Sequence, residues 1–408
     1  DSGQRHDVAV VGAGMVGGAV AGLLARCGFS VALIEARAPE PFDPAGEVGL
    51  RVSAVSQGSA AILGQAGAWS AIEQRRCCAY RQMHIEDDQA TDSLDFEAAV
   101  FGMERLGSIV ENDIVRRALW ETLESNALVD IFCPDGLAAV TTGSGGVTLE
   151  LQGGRRIEAG LLIGADGAAS KVRAGAGIRQ DVWEYNQKGL VAVVRKTEPN
   201  PGVAWQRFMP GGPLAFLPLA DGRSSIVWTR PATEADQLLG MSAERFTGEL
   251  DTASHGWLGE VQALGPRAVF PLTMRLSERY VADRLVLLGD AAHVVHPLAG
   301  QGVNLGLADA AGLVECLVES GMPVTQSDWA SRLRRFERWR RSESTLMAGG
   351  IHALGTLFRP GALAPLRGAG MGLLGRSWFA REALLRRAAG QGPNAPRLAL
   401  GKGLEVRA

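Results

Sequence analysis

One stretch, residues 285–307, limits what this chain can become more than any other: LVLLGDAAHVVHPLAGQGVNLGL. Its first four residues are all apolar and read as a strand buried on both faces. Gly289-Asp290 makes a tight turn. A loop of small residues then runs through Pro297, Gly300, Gln301 and Gly302, and a helical pattern starts at Asn304 and continues to about residue 320. Strand, glycine turn and helix N-terminus, in that order, is how α/β proteins hold a charged or polar ligand. Glycine lets backbone N–H groups come close, and the start of a helix favours negative charge. Asp290 stands where a carboxylate can accept hydrogen bonds from sugar-like hydroxyls. A buried strand followed by a plain loop would have no use for Asp290, Pro297, Gly300, Gln301, Gly302 and Asn304 together.

The same architecture opens the chain. Residues 7–11 form an apolar strand, and Gly12, Gly14 and Gly17 then give G-x-G-x-x-G ahead of a helix that Gly28 stops. A second strand, 31–34, ends in Glu35, close to the spacing at which an acid meets ribose hydroxyls. This unit predicts a dinucleotide site without distinguishing FAD from NAD. In LLIGADGAASKVR, a third buried strand (161–163) leads into a tight turn at 164–167. There Asp166 either anchors the turn through backbone N–H groups or touches a ligand. Arg51 follows a Pro/Gly-rich loop and is either a phosphate ligand, for which a guanidinium fork is suited, or a solvated arginine. Asn112 precedes an amphipathic helix, 113–125, whose Arg116 is either a ligand contact or part of a solvated face.

GDAAHxxxPxxGQGxN resembles the second flavin-contact motif of the single-component flavin hydroxylases. HPLAGQGVNLGL resembles the version found in ubiquinone-biosynthesis hydroxylases. MVGGAVAGLLARCGF, RVSAVS, RRCCAYRQM, VENDIVRRALW, WEYNQ and the stretch 208–219 are most similar to the branch that hydroxylates 3-demethoxyubiquinol. The resemblance covers nearly the whole chain. It implies FAD held by Gly12, Gly14, Gly17, Glu35, Arg51, Asn112, Arg116, Asp166, Gly289, Asp290, Pro297, Gly300, Gln301, Gly302 and Asn304. It also implies NADH or NADPH as reductant and O2 as co-substrate. The oxygen would be delivered from a C4a-hydroperoxide to the electron-rich ring of a polyprenylated quinol or phenol. Arg51 would reach the pyrophosphate and Pro297 would lie near the flavin ring. His293 and His296 are candidates near the flavin, each with a turn-stabilising alternative. The resemblance leaves open another ring position in the same pathway, a soluble phenol as substrate, or a non-catalytic flavin-binding subunit. A plain NAD dehydrogenase fits residues 285–307 poorly.

The implied fold is α/β: a Rossmann-like FAD-binding domain of glutathione-reductase-like, flavin-hydroxylase type. It would occupy 1–180 and 276–345, with a small substrate-side insertion around 75–110. An inserted antiparallel-sheet substrate domain would occupy 181–275, and an apolar, basic helical segment and tail 346–408. Short strands are expected at 128–132, 137–142, 147–151 and 155–158, with a hairpin turn at 143–146. In the second domain, strands at 188–196, 203–209, 214–219 and 224–229 alternate with Pro/Gly turns. There Trp205, Phe208, Phe216 and Trp228 are candidates for an apolar substrate pocket, or for plain core. Arg332, Arg334, Arg335, Arg338, Arg340 and Arg341 read as a solvated helix face. Residues 349–390, leucine- and glycine-rich with a basic bias, suit a peripheral membrane contact, a partner such as a ubiquinone-biosynthesis complex protein, or packing on the first domain.

With 408 residues the chain can bury a large core, and its net charge of −3 argues against nucleic-acid binding. Five cysteines without CxxC or metal-ligand spacing predict no metal site and reduced thiols, hence a cytoplasmic protein. The polar residues 1–7 do not read as a secretory leader, and no apolar run of about eighteen residues predicts a spanning helix.

Overall fold

The computed structural model describes residues 5–88, 93–143, 145–295, 302–318, 329–357 and 377–403, with side chains on the 329–357 helix to residue 350. The chain opens with β1 (Arg5–Val11), α1 (Met15–Arg26) and β2 (Val31–Ile34). β3 (Val52–Ser56), α2 (Gln57–Gln65), α3 (Trp69–Glu73), β4 (Cys77–Tyr80), β5 (Gln82–Asp87), β6 (Leu94–Glu97), β7 (Gly107–Glu111) and α4 (Asn112–Glu124) follow. β8 (Val129–Phe132), β9 (Leu137–Gly143), β10 (Gly146–Leu151), β11 (Arg156–Gly164) and α5 (Lys171–Gly175) return to the first sheet. The second sheet is built by β12 (Gln180–Lys196), β13 (Val203–Phe208), β14 (Leu214–Pro218), β15 (Ser224–Pro231), α6 (Ala232–Gly240), α7 (Ala243–Ala253) and β16 (Val261–Ser277). β17 (Val281–Ala282), β18 (Leu285–Leu287), β19 (His293–Val294), α8 (Gly302–Val318), α9 (Trp329–Leu357) and a helix at Trp378–Ala388 complete the described chain.

The first sheet runs β17-β18-β11-β1-β2-β8, with β10 and β9 joined to β11. β1 pairs in parallel with both β2 and β11, and β11 pairs in parallel with β18. Val8, Ala9 and Val10 of β1 have no solvent exposure, as expected of a parallel strand covered on both faces. From β1 the chain first steps to β2 on one side. It later places β11 on the other, so the topological switch point lies at the carboxyl ends of β1 and β11.

The second sheet has the order β19-β16-β12-β15-β14-β13-β5-β6. It is antiparallel except where β13 pairs in parallel with β5, and that pairing draws the 82–97 hairpin out of the 75–110 insertion into this sheet. The rest of the insertion, β4 and β7, forms a three-stranded sheet with β3. The meander read from the sequence omits α6 and α7, which cover one face of the sheet. Strand alternation sends Trp205, Phe216 and Trp228 to that face, where they pack with Phe246, Leu250 and Trp257. These three are therefore core beneath the helices, the second of the two readings open to them. Phe208 falls on the opposite face and is half-buried.

The strands expected at 155–158 and 161–163 are one continuous β11. Gly160 lies in its middle because two neighbours crowd it. A Cβ there would sit 2.8 Å from the Trp329 ring and 2.9 Å from the Asp7 carbonyl oxygen. Gly160→Ala is expected to cost about 1–3 kcal/mol through overpacking, measured as a lower urea midpoint with an unchanged m-value.

Candidate active site

Three glycine turns meet at the carboxyl edge of β1. Gly12, at φ +99°, lies so close to the turn after β11 that a Cβ would stand 2.5 Å from the Ala165 carbonyl oxygen. A Cβ on Gly17 would lie 1.8 Å from the Gly12 carbonyl oxygen. Val16, between them, is the contact for the third turn: a Cβ on Gly306 would meet the Val16 side chain at 2.6 Å and the Gly289 backbone at 3.2 Å. Arg173 joins the second turn to the third by donating to the Ala291 carbonyl at 2.9 Å. Ahead of α1 the space is open. Gly14, its N-cap residue, has no side-chain cap, and a Cβ there would touch nothing within 4 Å. The first N–H groups of α1 thus present an uncapped positive end to an open groove.

Polar side chains frame this edge. Glu35 closes β2 and accepts from the Ala13 N–H at 2.5 Å and the Arg37 N–H at 3.1 Å, which fixes the glycine loop. Asp166 accepts from Ser170 Oγ, the Lys171 N–H and the Val172 N–H at 2.5, 2.7 and 3.2 Å, so both its oxygens cap α5. Asn304 is buried; it accepts from the Ser56 N–H at 3.0 Å and donates to the Ala54 carbonyl at 2.9 Å, tying α8 to β3. Asn112 accepts from Ser53 Oγ at 2.7 Å, and its N–H donates to the Arg51 carbonyl at 3.0 Å. Arg116 lies one turn along α4, 3.6 Å from Asp113, in a recess of about 400 Å³ shared with Arg37, Phe42 and Arg117.

Arg51 is exposed, and its guanidinium lies 4.5 Å from the centroid of the Phe270 ring. Leu190 and Val269 face α6 and α7, so their neighbours Gly189 and Phe270 face away from the helices. Arg51 therefore stands beneath the open face of the second sheet. Asp290 is reached by solvent yet crowded by the turn around it. Desolvation pushes its carboxyl above the usual range, and the charges of His293 and Arg51 draw it part of the way back. His293 is fully buried, with Nε2 2.5 Å from Asp309 Oδ2, and takes the turn-stabilising role. Pro297, Gly300, Gln301 and His296 lie outside the described residues.

The FAD binding domain family matches residues 5–328. Over 351 residues the chain is 40% identical to the 3-demethoxyubiquinol 3-hydroxylase of Escherichia coli (strain K12), covering 85% of this chain and 88% of that protein. It is 35% identical to the ubiquinone hydroxylase UbiL of Rhodospirillum rubrum, over 97% of this chain and 92% of that one. The chain belongs to the FAD-dependent ubiquinone hydroxylases. Its fold is that of p-nitrophenol 4-monooxygenase PnpA from Pseudomonas putida DLL-E4, with TM-score 0.75, 18% identity, and coverage of 96% of this chain and 99% of that one. PqsL from Pseudomonas aeruginosa is similar at TM-score 0.74 and 23% identity, covering 90% of this chain and all of that one.

The groove of this hydroxylase fits the cofactor its family takes. The uncapped start of α1 and the open space at Gly14 suit a pyrophosphate, Arg51 supplies a cation, and Asp290 supplies an accessible acceptor for hydroxyls. Sequence reasoning missed two residues behind this edge. Asp309 has no solvent exposure, and Arg340, read as part of a solvated face, is 2% exposed with its Nε 2.8 Å from Asp309 Oδ1.

A raised carboxyl pKa at Asp290 means that the folded protein holds the proton more tightly than the unfolded chain. The associated stability is present below the unfolded pKa and is lost as pH rises through the folded one. At pH 7 the charge is therefore a cost, and apo Asp290→Asn is expected to melt above the parent. FAD affinity of the parent is expected to fall as pH drops through the raised pKa. Asp290→Asn should bind more weakly and lose that dependence, as measured by fluorescence titration.

Proposed function

We propose that the protein hydroxylates the ring of a polyprenylated benzoquinol in ubiquinone biosynthesis, at the position that 3-demethoxyubiquinol leaves unsubstituted, with NADH or NADPH as reductant and O2 as co-substrate. The observation that carries this reading is the meeting of three glycine turns, Arg51 and Asp290 beneath the open face of a second sheet, in a chain 40% identical to a 3-demethoxyubiquinol 3-hydroxylase. FAD, when bound, would supply the redox chemistry: two electrons from NADH or NADPH reduce O2, one oxygen atom entering the ring as hydroxyl and the other leaving as water. The chain's residues bind and orient. N–H groups at the start of α1 and the Arg51 guanidinium offset phosphate charge, and Asp290 accepts from hydroxyls. The start of α8 lies at the same edge and favours negative charge. The second sheet covers the groove and limits water.

A lipid-tailed substrate also favours peripheral contact with a membrane, or with proteins of a ubiquinone-biosynthesis complex. Arg334, Arg338 and Arg341 are exposed along one face of α9. Trp378, Phe379 and Leu384 are exposed on the helix at 378–388, Phe379 by 83%. Among the described residues, no helix is long and apolar enough to cross a membrane.

Purified protein loaded with FAD and reduced anaerobically by NADH or NADPH should, on an O2 pulse with a demethoxyubiquinol analogue, add one oxygen to the ring, read by mass spectrometry. Flavin reoxidation without ring product would overturn the substrate assignment. Co-sedimentation with vesicles containing anionic lipid is expected for the parent and should drop at least fivefold in Arg338→Glu/Arg341→Glu. Equal sedimentation of the two proteins would remove the arginine face from the reading.

A further inference from the structure

Behind the Gly289–Asp290 turn lies a charged cluster with almost no access to water. Asp309 Oδ2 accepts from His293 Nε2 at 2.5 Å and from the Gly289 N–H at 3.3 Å, while Asp309 Oδ1 accepts from Arg340 Nε at 2.8 Å. Arg340 Nη2 donates to the Leu305 carbonyl at 3.4 Å, in the first turn of α8. His293, Asp309 and Arg340 are 1%, 0% and 2% exposed. α8 makes room for the arginine at Gly312, where a Cβ would meet Arg340 Cδ at 3.0 Å. The Tyr280 ring lies 5.8 Å from the His293 ring, and its hydroxyl is 2.6 Å from Ser344 Oγ, one turn beyond Arg340. Two elements thus reach one carboxylate of α8: the turn carrying Asp290, through Gly289 and His293, and α9, through Arg340.

Well-packed apolar residues in these places would be as stabilising or more so, because an interior ion cluster must recover the desolvation of every member. What apolar residues cannot supply is direction. Asp309 receives the backbone N–H of Gly289 and the ring Nε2–H of His293, three residues past Asp290, so both ends of the segment carrying Asp290 hang from the same carboxylate. The His293 charge favours the ionised forms of both Asp309 and Asp290, and Arg51 does the same for Asp290 from the groove side.

We propose that Asp309 and Arg340 are positioning residues that act through His293 and the Gly289 N–H to hold Asp290 in the orientation that contacts the cofactor. The inference rests on the reading of Asp290 as a cofactor contact. It adds that this contact is set from α8 and α9, at residues that never touch the cofactor.

The test is a double-mutant cycle on FAD affinity, read by quenching of flavin fluorescence as FAD is titrated into apoprotein. Asp290→Asn and Asp309→Asn are each expected to raise the dissociation constant at least tenfold, and the double variant to bind no more weakly than Asp290→Asn alone. Arg340→Lys, which keeps the charge, should stay within about threefold of the parent, whereas Arg340→Met should not. A folded Asp309→Asn with unchanged affinity, or with a loss that adds in full to that of Asp290→Asn, overturns the positioning role. If Asp309→Asn does not fold, His293→Gln cuts the same link while leaving Asp309 paired to Arg340, and it enters the cycle with the same two readings. Unchanged affinity in Asp290→Asn alone overturns the assignment of Asp290, and the positioning role with it.

Discussion

Backbone meets backbone at the carboxyl edge of β1, and the rest of the structure is arranged to allow it. Gly12 and the turn after β11 approach more closely than any side chain would permit, and so do Gly306 and Gly289 around Val16. These contacts turn three stretches far apart in sequence into one wall. A ligand lying along that wall faces N–H groups rather than Cβ atoms, which is what a phosphate chain and a flat ring need. The sheet order follows from the same requirement. β11 and β18 must lie on the side of β1 away from β2, so that their turns arrive at the same edge.

Close packing of this kind leaves the turns little chemistry of their own for fixing orientation, so the fixing is done from behind. Asp166 uses both oxygens on α5, Glu35 holds the glycine loop, Asn304 ties α8 to β3, and Asp309 collects the third turn, α8 and α9. Each is a polar group bonded to backbone or to an opposite charge, and each joins two elements. That is the economical use of buried polarity, because an unpaired group of this kind would cost about 1–3 kcal/mol. Of these four only Asp309 is wholly without solvent, and only Asp309 is paired to a buried arginine.

The sequence made the ligand edge legible because turn chemistry is local. G-x-G-x-x-G, GADG and GDAAH each carry their glycines and acids within a few residues, and strand and helix periods flank them in order. What it concealed is non-local. Alternation in β13 and β14 separates Trp205 and Phe216 from Phe208, but it does not say which face a helix will cover, and α6 and α7 decided that. Arg340 was more readable than it seemed among six arginines. It lies at helical spacing from Leu333, Phe336, Ser344 and Ala348, all of them buried, so the period places it inside. Asp309 carried a similar signal, as an acid inside the apolar run 305–314 of α8. Its partners, His293 and Arg340, come from turns and helices that only the fold brings together.

The two sheets divide the work, and Arg51 stands at the division. It leaves the loop before β3, lies on Phe270 of β16, and is close enough to Asp290 to act on its charge. An exposed guanidinium over a half-buried aromatic ring is worth about 0.5–1 kcal/mol. That is too little to hold two sheets together but enough to choose among rotamers of a long side chain. The second sheet thereby reaches into the first one's ligand edge through a single cation. The helix-covered face of that sheet, packed with Trp205, Phe216, Trp228, Phe246 and Trp257, gives it a rigid back. Its other face carries Phe208 and Phe270 and packs elsewhere, through Val193 and Ala204, on Tyr80, Phe96 and Ile109. A change at Phe270 alters both sheets at once, because the same ring lines the groove and sets the arginine.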